Sequence, residues 1–267
     1  MPQLQVGDAT LGYDEAGQGA PSFVFVHGWA GDRSFWRPQV DDLSRDFHCL
    51  TLDLRGCGES SLTPPYDLTQ AADDIAAVIE ERGMGAAIVA GHDIGGLVAL
   101  LANSRHEDRV IGSVIVDPPL DSAARGAMGG LAAQLREAGT MEPVRVFFDR
   151  FFDEEADPVI REYVEEHMLA CDPQVAAGQL TDNGYFAQNL GALLQAADKK
   201  PFMALWGSNP LGDPERLRQI TFFLRQEPVT GAGHFLQLEN PAMTNALLRA
   251  FVDDVRRDPR ISAFTTS

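Results

Sequence analysis

"VAGHDIGGLVAL", residues 89–100, runs from an apolar stretch into a helix-like stretch through a turn bounded by glycines. Gly91 and Gly95 stand two positions either side of Asp93. Small residues there permit a sharp turn and a close approach of the following helix to the strand, which lifts the central side chain above a sheet edge. The first amides of that helix point at the same place and favour negative charge. An aspartate before a helix is also a favoured N-cap, and the motif by itself leaves that plainer reading open.

Short apolar runs recur on both sides of this turn: "SFVFVHG", "HCLTLDLRG", "AAIVAGHD", "VIGSVIVDPP", "PFMALWG" and "TFFLRQEPVT". Each is bounded by Gly, Asp, His or Pro and is separated from the next by a longer amphipathic stretch. That alternation predicts an α/β fold with a mostly parallel sheet and crossover helices on both faces. Polar residues gather at the C-terminal ends of the strands, the edge where open parallel sheets bind their ligands. Residues 120–200 break the rhythm. "GGLAAQLREAG", "PVRVFFDRFFDEEADPVIREYVEEHMLA" and "DPQVAAGQLTDNGYFAQNLGALLQAA" are helical in period, so 120–200 is expected to form an inserted helical lid on a core made of 1–119 and 201–267.

The 267 residues carry a formal net charge of −18, which argues against nucleic-acid and anionic-membrane partners, since both would repel the chain. No basic start followed by an apolar core opens the sequence, and no apolar stretch reaches the ~18 residues of a membrane span. Three cysteines, Cys49, Cys57 and Cys171, form no CxxC pair. These features lead to an expectation of a cytoplasmic protein acting on a small molecule. The acidic run at 153–157 reads as a solvated helix start, because cation loops need alternating and not contiguous ligands; neither metal nor cofactor is implied.

Three further stretches complete a pattern. "VFVHGWAGDRSFWRPQV" follows the first long strand, "LDLRGCGES" the next, and "GAGHFLQLENP" places His234 after the last. In this order, with the Asp93 turn between them, they resemble the α/β-hydrolase superfamily over essentially the whole chain. The resemblance implies an α/β-hydrolase fold, Asp93 as nucleophile, His234 as base and an acid between them in sequence. Two positions can supply that acid. Asp213, after "ALWG", precedes Pro214 and reads more simply as a helix cap, so Asp117 after "SVIVD" is preferred. Asp117 would hold the His234 tautomer, while the backbone N–H groups of Trp29 and Ile94 would form an oxyanion hole.

An aspartate is ionised near neutral pH and attacks an sp3 carbon without a base, leaving an ester on itself that His234 and water then hydrolyse. The resemblance therefore points to the Asp-nucleophile branch, similar to epoxide hydrolases and dehalogenases. Departures are visible: Ala30 stands where proline is usual, and the helix after Asp93 has Ile94 and Leu97 in place of halide- or carboxylate-gripping residues. A small, largely apolar electrophile is expected. Epoxide opening would need an acid, for which Tyr163 and Tyr185 in the lid are the candidates. Phe35, Trp36, Phe147, Phe148, Phe151 and Phe152 are available for an aromatic pocket or for plain packing. The alternatives are a cofactor-free dioxygenase similar to those cleaving 3-hydroxy-4-quinolones, and an esterase or lactonase using Asp93 as base.

Overall fold

In the computed structural model, which describes residues 2–152, 155–181 and 185–261, the apolar runs form one eight-stranded sheet. Its strands are β1 (Gln3–Val6), β2 (Ala9–Ala16), β3 (Ser22–Val26), β4 (Cys49–Leu52), β5 (Ala87–His92), β6 (Val110–Val116), β7 (Phe202–Trp206) and β8 (Arg225–Pro228). Their order is β1-β2-β4-β3-β5-β6-β7-β8. The β1–β2 and β2–β4 pairs are antiparallel and all others parallel. The β1–β2 hairpin was not among the expected strands, and of "TFFLRQEPVT" only Arg225–Pro228 pairs.

The helices are α1 (Arg37–Leu43), α2 (Leu68–Glu81), α3 (Ile94–Arg105), α4 (Ser122–Ala138), α5 (Phe148–Phe151), α6 (Pro158–Leu169), α7 (Pro173–Gln179), α8 (Tyr185–Ala197), α9 (Pro214–Ile220), α10 (Leu236–Glu239) and α11 (Pro241–Arg257). Alternating side chains divide the core between the two faces of the sheet. Phe23 and Phe25 pack with residues of α1 and α11, whereas Val24 and Val26 join the cluster that holds α2, α3 and the helices between β6 and β7. Central strand β5 is buried along its length, and α3 is buried from Ile94 to Asn103, which explains why it is apolar on every side. Helices α4–α8 all fall between β6 and β7, and no strand occurs there among the described residues. Asp157, closing the acidic run, caps α6 through its side chain, while Asp153 and Glu154 lie outside the described residues. Among the described residues no helix is long and apolar enough to cross a membrane.

Candidate active site

Strand β5 ends at His92 and α3 begins at Ile94, so Asp93 alone makes the turn, with φ 51° and ψ −122°. The glycines are required by contact and not only by conformation. A Cβ on Gly91 would lie 1.9 Å from the Gly95 oxygen, and one on Gly95 would lie 2.5 Å from the Val26 oxygen. Asp93 does not cap α3 with its side chain, so the plainer N-cap reading fails. Instead Asp93 Oδ2 accepts the Trp29 N–H at 2.9 Å, and the adjacent Ile94 N–H also favours the charged carboxylate. The two expected oxyanion donors thus meet on the Asp93 carboxylate itself.

Only three non-glycine residues of the described chain have positive φ: Ala30, Asp93 and Asp117. All three are at this site, where such strain, of order 1–3 kcal/mol each, is held by the surrounding structure. Asp117 is fully buried at the end of β6, and its Oδ2 accepts the Nδ1–H of His234 at 2.6 Å. Asp117 Oδ1 receives the Leu211 N–H at 3.3 Å. The loop after β7 therefore gives the Asp117 carboxylate a backbone donor. Asp213 caps α9, accepting the Arg216 N–H ahead of Pro214. Burial raises the pKa of Asp93, against the opposing charge of His234 and the two backbone donors. Burial works against a charged His234, yet the hydrogen bond and charge of Asp117, helped by Asp93, hold its pKa above the ordinary value.

Several supporting residues had no signal in the sequence. His27 donates Nδ1–H to the Gly28 oxygen at 2.8 Å and accepts the Leu54 N–H at 2.9 Å, which braces the loop carrying Trp29. His92 donates Nε2–H to the His234 oxygen at 3.0 Å, and burial holds it neutral, its pKa well below the usual range. Helix α7 reaches the same loop: the Trp29 indole donates to the Ala176 oxygen, and Gln179 accepts the Ala30 N–H. On the other side, the His234 N–H donates to the Phe151 oxygen at 2.8 Å, and the Phe151 ring stacks on the imidazole with centroids 5.2 Å apart.

A cavity of about 140 Å³ opens at Asp93 and Trp29, lined by Leu131, Phe147, Phe151 and Leu180 among others, with Arg150 as its one cation among the described residues. Its volume approaches the roughly 150 Å³ that accommodates a benzene ring. Neither candidate proton donor lines it, which corrects that expectation. The Tyr163 hydroxyl is hydrogen-bonded to Ser34, and Tyr185 lines a separate groove with Tyr66 and Arg136. Helical period shows which residues share a face but not which neighbour that face meets. The aromatic residues divide as well. Phe147 and Phe151 line the cavity, Phe35, Phe148 and Phe152 are packing in the cluster behind it, and Trp36 lies in the cluster on the other face of the sheet. No group of three or more His, Cys, Asp or Glu suited to a metal occurs among the described residues.

The sequence pattern of the alpha/beta hydrolase family matches residues 23–247. The chain belongs to the alpha/beta hydrolase family. Among relatives, this alpha/beta hydrolase is 29% identical to the AB hydrolase superfamily protein YisY of Bacillus subtilis over 91% of this chain and 95% of that one. It is 23% identical to epoxide hydrolase 3 of Xenopus tropicalis, over 88% and 72% of the two chains. The match to RutD of Azorhizobium caulinodans is 35% identical but spans 44% of each chain, so less than half of that relative is covered. The enol-lactonase of Burkholderia xenovorans LB400 superposes with a TM-score of 0.84 over 94% of this chain and 100% of its own, at 22% identity, a likeness of fold. Family and relatives together support hydrolysis as the activity.

Proposed function

We propose that this alpha/beta hydrolase acts through a covalent ester on Asp93, formed by displacement at an sp3 carbon of a small electrophile. The observation that carries this reading is the position of the Asp93 carboxylate on the Trp29 and Ile94 donors. An esterase or lactonase using Asp93 as base would need those donors for the oxyanion of its substrate. Here the aspartate occupies them, as the carbonyl oxygen of an aspartyl ester must.

In the first step a carboxylate oxygen of Asp93 bonds to the substrate carbon, and the leaving group departs with its electron pair. Water then attacks the ester carbonyl carbon as His234 Nε2 takes its proton, with Nδ1–H held by Asp117. Trp29 and Ile94 stabilise the tetrahedral oxyanion. Collapse releases the alcohol, protonated by His234, and regenerates Asp93 carrying one oxygen from water. Because no tyrosine among the described residues lines the cavity, a leaving group stable as an anion, such as halide, fits better than the alkoxide of an epoxide.

Trapping the ester tests the mechanism. With small bromoalkanes and epoxides, His234→Gln should still be alkylated but not hydrolysed, so the peptide containing residues 91–96 gains the mass of the substrate. In heavy-oxygen water, single turnover of the unmodified protein should label the Asp93 carboxylate. A compound that is turned over with neither adduct nor label would sink the reading, and oxygen uptake with a 3-hydroxy-4-quinolone would select the dioxygenase.

A further inference from the structure

From the seam between the sheet loops and the inserted helices we infer a redox-sensitive thiol pair: Cys57 and Cys171 close to a disulfide under a hydroperoxide and staple the start of α7 to the loop after β4. Nothing in it depends on the reaction at Asp93. Cys57 is buried, whereas Cys171 is partly exposed, so an oxidant reaches Cys171 first. The packing of their neighbours brings the two residues together. Asp172 caps α7 by accepting the Gln174 and Val175 N–H groups, which puts Cys171 immediately ahead of the first turn. That turn lies against the loop after β4, where a Cβ on Gly56 would come within 2.5 Å of a Val175 methyl group. Both cysteines belong to one apolar cluster, Cys57 inside it and Cys171 packed against it. Cys49, the third cysteine, lies in the cluster on the other face of the sheet.

The Cys57 sulfur is also tied to the candidate active site. It accepts a Gln179 Nε2–H at 3.1 Å, and Gln179 Oε1 in turn accepts the Ala30 N–H at 3.1 Å. The link from Cys57 thus ends one residue from Trp29, whose N–H lies on Asp93. The neighbouring Cys171 thiol and burial together push the Cys57 thiol well above its ordinary range, so it stays protonated and does not meet oxidant on its own. Oxidation therefore begins at Cys171. With hydrogen peroxide, the Cys171 sulfur attacks one oxygen, the O–O bond breaks, and a sulfenic acid and one water result. The Cys57 sulfur then displaces the sulfenic oxygen. An S–S bond forms, and that oxygen leaves as a second water with the Cys57 thiol proton. Two thiols are oxidised and one peroxide is reduced. The resulting cross-link joins the inserted segment to the core beside the Trp29 loop and suppresses local opening there.

Hydrogen peroxide is the probe, applied to the folded full chain before the remaining thiols are alkylated in denaturant. The protein should keep one free thiol, Cys49, lose two hydrogens in mass and yield a peptide pair joined through residues 57 and 171. Dithiothreitol should restore all three thiols. Cys49→Ser should still form the cross-link, and Cys171→Ser should not. In the oxidised protein, amide exchange in peptides spanning 171–180 and 23–35 should slow by about tenfold, while peptides of α11 keep their rates. Three results would overturn the inference: Cys171 carried on to sulfinic or sulfonic acid with Cys57 still free, a cross-link that uses Cys49, or a 57–171 cross-link that leaves exchange in 171–180 and 23–35 unchanged. Because mass and exchange are the readouts, either outcome is independent of adduct formation on Asp93.

Discussion

Asp93 and His234 serve different steps of the proposed reaction, and each step should follow the ionisation of its own residue. Alkylation needs Asp93 charged. Its pKa is raised above the ordinary 3.8, so adduct formation in His234→Gln should fall away on the acid side at a pH above that value. Ester hydrolysis needs His234 neutral. Its pKa is raised above 6.5, so turnover limited by hydrolysis should increase with pH through a midpoint above 6.5. Asp117→Asn removes the hydrogen bond and charge that raise it and leaves burial, which lowers it. The midpoint should therefore move to lower pH while kcat drops on the order of 10⁴-fold, the scale seen when a triad aspartate becomes an amide. Asp213→Asn should change kcat little, because Asp213 holds only the start of α9. A large loss in Asp213→Asn with a small one in Asp117→Asn would reassign the acid.

At the scale of elements, the elbow depends on how closely α3 approaches β3. Gly95→Ala would push a methyl group to 2.5 Å from the Val26 oxygen and 2.6 Å from that of His27, backbone atoms that cannot rotate away. Overpacking of this kind costs about 1–3 kcal/mol, and displacing the first turn of α3 also moves the Ile94 donor. Gly126, within α4, has nothing within 4 Å of an added Cβ, so Gly126→Ala should stabilise by roughly 0.5–1 kcal/mol through helix propensity. Paired urea titrations would check both signs; equal effects would show that the elbow is not tightly packed. The same contrast explains what the sequence made legible. Parallel strands buried on both faces read as continuous apolar runs, so β3 to β7 stood out, whereas "QLQV" at the sheet edge carries no such signature. Asp93, Asp117 and His234 were legible because each closes an apolar run or sits in a glycine-rich turn. Gln179 was not, since it lies at the end of a short helix whose placement is decided by packing against distant residues.

Across the whole molecule, the site is where two parts of the chain are joined. Trp29 and Ala30 are tied to Ala176 and Gln179, and His234 is tied to Phe151, so residues from α5 and α7 hold the groups that the strands present. One continuous apolar cluster runs from Val24 and Val26 of the sheet through α3 to Val164 and Val175 of the inserted helices. Movement of α5 should therefore be felt at His234 before it is felt in global stability. Phe151 is only partly buried, and Phe151→Ala should cost about 1–2 kcal/mol, less than the 3–5 typical of a fully buried ring. That corresponds to a fall in Tm of roughly 2–4 °C per kcal/mol for a chain of this size. The local effect should be larger in proportion. Without the stacked ring, the hydrogen bond from His234 N–H to the residue 151 oxygen opens more often, so amide exchange in a peptide spanning 231–236 should accelerate by about tenfold, while peptides from β5 keep their protection. kcat should fall with it, because hydrolysis needs His234 held over the ester, whereas the alkylation of Asp93, which does not use His234, should keep its rate. Equal acceleration of exchange in β5 and in 231–236 would mean that α5 supports the fold as a whole, and an unchanged hydrolysis rate would mean that Asp117 alone is enough to hold the histidine.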